Sequence, residues 1–236
     1  PSWWVLAGIF AVNAILKVVY FSGLCQADDF SYGVYAYSFF RLPLPWDMTL
    51  DFRALRLALL LPVSVLFRIM GTSEFAAVLY PTIVSFGTLL LVFAIGRRVA
   101  GTAAGLFAAG VFAIFPGDVI YGTMLLPDVL APFFMTAAVW AFLRGDASSG
   151  RAQWWWLGAG VSMFLAFNAR ENSYWFLFFF LPFAFDAARW KKGLWAAAAG
   201  FAVPIVILYG FYALKSGDFF YNLHVAESQR DPLLKS

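Results

Sequence analysis

Cut at its charged residues, the chain falls into seven apolar blocks: 3–24, interrupted by Asn13 and Lys17, then 75–96, 99–117, 129–143, 152–169, 172–188 and 193–214. A helix crossing the ~30 Å hydrocarbon core of a bilayer needs about 20 apolar residues, and at the lower limit about 17. Each block is therefore a predicted spanning helix. Block 129–143 is short and reaches the required length when it starts at Thr123, which sets Asp128 near one membrane face. A further run, 57–67, is closed by Arg56 and Arg68 and carries Pro62 in its middle. At 1.5 Å per residue it covers roughly 17 Å, too little to cross, so it reads as a helix lying in the interface. The expected architecture is an all-α polytopic membrane bundle of about seven transmembrane helices. It divides into a first span in 1–24, an outer loop with interfacial helices in 25–74, six further spans in 75–214 and an outer segment in 215–236, all one transmembrane module over 1–236.

Composition narrows what this pattern can mean. Only 12% of the residues are charged while 63% are hydrophobic and 20% aromatic. Globular chains carry about 25% charged residues, so an ordinary solvated surface is excluded. One Cys and one His exclude a disulfide scaffold and a Cys/His zinc module. A net charge of +3 from 16 basic and 13 acidic residues is no footprint for nucleic acid. No period of 20 to 50 residues recurs. Block 3–24 lacks a small-residue cleavage site after it and reads as a retained helix, not a removed signal peptide. Pro1 and the polar stretch from Asp218 onward are read as cut ends of a longer protein.

The side on which each charge falls is the informative part. With the N-terminus inside and 57–67 not crossing, the short inner loops hold Arg97, Arg98, Arg144, Arg151, Arg189, Lys191 and Lys192, against Arg170 alone in the short outer loops. That distribution is what the positive-inside rule expects. The acids Asp28, Asp29, Asp47, Asp51, Glu74, Asp118, Asp128, Glu171, Asp218, Glu227 and Asp231 then lie outside, leaving Asp146 and Asp186 inside. The outer face is the predicted working face: the outside of a plasma membrane in a bacterium, or the lumen of the endoplasmic reticulum in a eukaryote.

Several residues there can carry chemistry. Asp28 and Asp29 are adjacent at a membrane boundary, where mutual repulsion and lost hydration raise one carboxyl toward the range of a general base. The plainer reading is an N-cap for a helix starting at Phe30. Asp128, after Pro127, is either a functional boundary acid or a cap. Asp118, after Pro116-Gly117, reads as a turn residue. Arg170 can bind a phosphate through a two-pronged contact or pair with Glu171. Arg53, Arg56 and Arg68 flank the interfacial run and suit lipid head groups. Asn13 and Lys17, four apart, are expected to point into the bundle. Gly101, Gly105, Ala109 and Gly110 form a small-residue stripe for close packing, Trp154, Trp155 and Trp156 form an aromatic belt, and His224 is expected to be solvated.

Five segments in order resemble one family. Asp28-Asp29-Phe30-Ser31-Tyr32-Gly33-Val34-Tyr35-Ala36 resembles the first outer loop of the C-type (GT-C) membrane glycosyltransferases, the group containing protein O-mannosyltransferases and the aminoarabinose transferases of lipid A. Gly71-Thr72-Ser73-Glu74-Phe75 resembles the family's entry to the second span, and Gly96-Arg97-Arg98-Val99-Ala100-Gly101 its exit. The stretch from Tyr121 to Asp128 resembles the second acidic loop, and Asn168-Ala169-Arg170 falls where the family often has a basic residue. Two departures stand beside these: Val78 occupies a place where the family often has arginine, and Arg56 is about one position out of register with the family's basic residue.

The resemblance implies a module of seven spans with membrane-parallel helices in its first outer loop. It implies an inverting transfer of a sugar from a polyprenyl-phosphate donor to an acceptor hydroxyl on a glycan, lipid or protein at the outer face. Asp28 would be the general base with Asp29 beside it, and Asp128 would hold acceptor or sugar. Arg170, Arg56 and Arg53 would bind the donor phosphate, with Tyr32 and Glu171 lining the cavity. No cofactor is firmly implied and no metal ligand is assigned, although Asp28, Asp29 and Asp128 together could share a divalent cation. Two other functions compete on the residues alone: a proton-coupled transporter, because intramembrane acids also mark ion paths, and an inactive scaffold of the same fold.

Overall fold

A computed structural model describes residues 2–40, 51–147, 150–181, 185 and 193–234. Among them the chain is all-helical, with no strand. Its α-helices are α1 (Ser2–Val19), α2 (Ala27–Ser38), α3 (Leu57–Met70), α4 (Glu74–Ala113), α5 (Pro116–Tyr121), α6 (Leu130–Ala147), α7 (Ala152–Ala169), α8 (Trp195–Ser216) and α9 (Tyr221–Leu234). Two 3-10 segments, Phe52–Leu55 and Glu171–Phe180, complete the order. Three of these helices, α1, α4 and α8, are long and apolar enough to cross a membrane. Arg189, Lys191 and Lys192, expected in an inner loop, and Asp47 and Asp186 lie outside the described residues.

The two predicted blocks 75–96 and 99–117 meet inside α4. Ser73 caps the helix, its hydroxyl accepting from Ala76 N at 3.2 Å. The helix then breaks at Ala100 and Gly101, where Gly101 has φ 87°, a conformation open to a residue without a Cβ. The two arms fold back on each other so closely that a Cβ on Gly96 would lie 2.9 Å from Gly105 Cα, and one on Gly105 would lie 2.7 Å from the Phe93 carbonyl. The small residues around Gly101 thus divide their work. Gly101 makes the reversal, Gly105 and Ala109 are buried between the arms, and nothing lies within 4 Å of a Cβ built on Gly101.

Run 57–67 extends as α3 to Met70 and is the centre of the largest core. Leu59, Leu60 and Val63 are fully buried, packed with Tyr32 of α2, Ala76 and Ala77 of α4, and Met124, Leu125 and Leu130. The opposite side of α3, with Leu61, Val65 and Ile69, stays exposed, so the helix is buried along one face only. Block 172–188 departs from the expected α-helix, for Glu171–Phe180, which takes in most of its described residues, is a 3-10 helix. In that geometry side chains three apart eclipse, and the aromatic sequence uses it. Phe176 stacks on Phe179 with centroids 5.2 Å apart and planes 2° from parallel, and Trp175 stacks on Phe178 at 5.5 Å. The Trp154–Trp156 cluster is also not all belt. Trp156 is fully buried, edge-on to Phe142 with centroids 4.4 Å apart. Segment 215–236 is not simply a polar tail, because Tyr221 and Val225 of α9 are buried against Tyr212, Ala54 and Leu55.

Helices α7 and α8 touch backbone to backbone. A Cβ on Gly160 would sit 2.0 Å from the Ala197 carbonyl oxygen, and one on Gly200 would sit 2.3 Å from that of Leu157. Neither neighbour is a side chain that can rotate away. Gly160→Ala is accordingly expected to lower stability by about 3 kcal/mol, at the upper end of ordinary overpacking. The measurement is thermal unfolding in detergent, and an unchanged midpoint contradicts the contact.

Candidate active site

The first acidic pair is placed by the start of α2. Gln26 is extended, with φ −119° and ψ 157°, and the helix begins at Ala27, so Asp28 and Asp29 are its second and third residues and not its cap. The Asp29 carboxylate turns back to accept from Cys25 N at 3.2 Å and Gln26 N at 3.1 Å, the reach-back half of a capping box. Asp29 is fully buried and its other oxygen has no protein partner. Burial holds this carboxyl above the usual carboxylate range, the two backbone N–H groups oppose that shift, and the charges of Asp28 and Asp128 add to it. The expected raised carboxyl is thus Asp29, and lost hydration outweighs its neighbour as the cause.

Asp28, one residue earlier, points outward and is 49% exposed. It pairs with Arg53 at 2.8 Å, and Arg53 also reaches Asp51 at 2.5 Å. Asp51 caps the 3-10 segment, accepting from Arg53 N at 2.9 Å. Arg56 closes that segment. Its guanidinium donates to the Tyr32 hydroxyl and pairs with Glu171 at 3.3 Å. Both arginines lie over the Phe52 ring, each 5.0 Å from its centroid. The Tyr32 phenol is pushed up to about 12, by burial first and against the pull of Arg56. It therefore stays protonated and serves as a hydrogen-bonding group, not a base.

The second half of the site comes from the end of α7. Asn168 accepts from Ala58 N at 2.6 Å and donates to the Leu55 carbonyl at 3.5 Å, fastening α7 to the junction of the 3-10 segment and α3. Just beyond, Arg170 pairs with Asp128 and not with its neighbour Glu171. A cavity of about 200 Å³, lined among others by Thr88, Phe112, Phe115, Tyr121, Asp118 and Asp128, adjoins this pair.

The eight residues singled out by sequence therefore form two linked groups: Asp28, Asp29, Tyr32, Arg53, Arg56 and Glu171 around the start of α2, and Asp128 with Arg170 beside them. Among the described residues no three Asp, Glu, His or Cys side chains converge as a metal-ligand set. Asp28 and Asp128 instead each hold a guanidinium. Sequence reasoning missed Phe52, Asp51 and the fastening role of Asn168. The cation-aromatic-cation order Phe52-Arg53-Ala54-Leu55-Arg56 was the available signal for Phe52. It also misread Asp118, which is no turn residue: it is 5% exposed and paired with buried Lys17 at 2.5 Å. The inward direction expected for Asn13 and Lys17 is observed. His224 is half-exposed, as expected, and pairs with Asp218 at 2.6 Å.

The model of the dolichyl-phosphate-mannose-protein mannosyltransferase family matches residues 59–211. That stretch takes in Asp128, Arg170 and Glu171 and begins after Asp28, Asp29, Arg53 and Arg56. No curated protein and no solved structure matches the chain. The match covers well over half of the 236 residues, and the chain belongs to the dolichyl-phosphate-mannose-protein mannosyltransferase family, as a membrane glycosyltransferase of the C type.

Proposed function

We propose that the protein moves a sugar from a polyprenyl-phosphate donor to an acceptor hydroxyl on a glycan, lipid or protein, with inversion at the anomeric carbon, at the outer face of the membrane. The observation that carries this reading is the pairing of partly exposed carboxylates with guanidinium groups where α2 and α3 begin and α7 ends. Direct displacement needs both kinds of group within one site. Asp28 takes the acceptor's hydroxyl proton as the oxygen attacks the anomeric carbon. The bond from that carbon to the phosphate oxygen breaks, and the leaving phosphate carries the electron pair. Arg170 and Arg56 meet the charge that grows on it. Arg53, already shared by Asp28 and Asp51, orients the base more than it binds donor. Asp29 braces the helix that carries Asp28, and Asp128 holds sugar or acceptor beside Arg170.

Two features support the outer placement. Arg144 and Arg151 lie at the ends of α6 and α7 opposite to Asp128 and Arg170. Each of these helices has 18 residues, or about 27 Å at 1.5 Å per residue, so acids and basic loops are separated by nearly a membrane's thickness. A donor that reaches the outer face on a lipid also suits a site away from cytoplasmic nucleotide sugars. The test is transfer by the reconstituted protein with each donor type. A lipid-phosphate sugar is expected to support transfer with inverted product, and transfer from a nucleotide sugar alone overturns the reading. Because the acids already hold guanidinium partners, the rate is expected to survive strong chelation. Loss of transfer on chelation that divalent ion restores would reverse that expectation.

A further inference from the structure

One buried charged pair is left over by this mechanism. Lys17 of α1 and Asp118 of α5 are 3% and 5% exposed. The Lys17 ammonium reaches both the carboxylate of Asp118, at 2.5 Å, and its carbonyl oxygen, at 3.0 Å. Ser85 of α4 donates to the other carboxylate oxygen at 2.5 Å. Asn13 donates to the Ala113 carbonyl at 2.7 Å and more weakly to Asp118 at 3.4 Å. Burying two opposite charges seldom stabilises a fold more than apolar packing of the same volume would, so a cluster of this kind invites a geometric explanation.

The bonds leading away from it supply one. The Asp118 carbonyl also accepts from Gly122 N at 2.9 Å, and a Cβ on Gly122 would strike that oxygen and Lys17. Thr82 of α4 donates to the Gly122 carbonyl at 2.8 Å. Thr123 then accepts twice from the link after α1: from Gly23 N at its carbonyl, 3.1 Å, and from Ser22 N at its hydroxyl, 3.1 Å. Leu24 N is held by Glu74 at 2.8 Å, and the next two N–H groups belong to Asp29. On the other side of Thr123 the buried residues Met124, Leu125 and Leu126 lead to Asp128.

We propose that the Lys17–Asp118 pair is a positioning device that holds the loop carrying Asp128 in register with the segment carrying Asp28 and Asp29. The inference rests on the reading of those acids as the active site. It is tested with nitroxide labels on Cys25, the chain's one cysteine, and on Ile120→Cys, comparing Lys17→Met and Asp118→Asn with the parent in lipid bilayers. Asp118→Asn is the milder variant, since its carbonyl and amide oxygens still meet Lys17. A widened distance distribution is expected in both, with kcat about 10-fold lower, a fraction of what a 1 Å misplacement can cost, and the donor KM unchanged. Parent-like distances overturn the proposal, whatever the rate. A widened distribution with parent kcat overturns it too, by showing that the register is not needed. Asp28→Asn serves as the separate control: if it still transfers sugar, the active-site reading fails, while the distances go on reporting the linkage itself.

Discussion

Asp28→Asn is expected to lower kcat for sugar transfer by about 1,000-fold, within the range for losing a general base, while expression and thermal unfolding stay at parent values. The substitution keeps the shape of the side chain and an oxygen for Arg53, and removes the negative charge and with it the capacity to take a proton. Asp28 is 49% exposed and its neighbour is fully buried, which separates the two acids by accessibility. An acceptor hydroxyl can approach Asp28. Asp29 is turned away, accepting the N–H groups of Cys25 and Gln26. Asp29→Asn retains an oxygen for those bonds and is expected to cost less in rate than Asp28→Asn. A purified Asp28→Asn protein with full activity sinks the proposed base, and the reverse ranking of the two variants moves the role to Asp29.

Arg170→Gln is expected to reduce kcat/KM for the lipid donor by about 100-fold, the size seen when one preorganised donor to a developing anion is lost. Arg170 is 46% exposed and, among the described residues, pairs with Asp128, which is itself partly exposed, so its guanidinium can swing to a phosphate without abandoning a buried charge. Arg170→Lys keeps the charge and loses the planar fork, and an intermediate rate is expected. Arg53→Gln provides the contrast. With two carboxylates already on Arg53, its loss should appear mainly in kcat, through Asp28, with the donor KM little changed. Steady-state kinetics against donor concentration separate the two patterns. Equal effects of Arg170→Gln and Arg53→Gln on donor KM contradict the division of roles.

Hydropathy and local spacing made much of this molecule legible in advance, because they report what a helix needs from its own residues. Among the described residues α-helices form in six of the seven apolar blocks, and Lys17 and Asn13 face inward as their four-residue spacing implied. Long-range pairing was not legible. Asp28 meets Arg53, Arg56 meets Glu171 and Arg170 meets Asp128 across 25, 115 and 42 positions, and nothing local to Arg170 favours Asp128 over adjacent Glu171. Asp118 shows the cost of local reasoning most clearly. Pro116-Gly117 before it has turn chemistry, and only the arrival of Lys17 from 101 residues away makes it a buried ion. The 3-10 segment at Glu171 failed for a related reason: the apolar content of 172–188 suits either helix, and the stacking of Phe176 on Phe179 decides between them.

The same separation in sequence sets an order of events during synthesis. Lys17 leaves the ribosome 101 residues ahead of Asp118, which at 5–20 residues per second is roughly 5 to 20 s. For that interval Lys17 of α1 is without the carboxylate that partners it in the fold. Its long stem lets the charge stretch toward the head groups in the meantime. The pair closes only once α5 has been made, so the seating of α1 is completed by a helix that lies far along the chain from it.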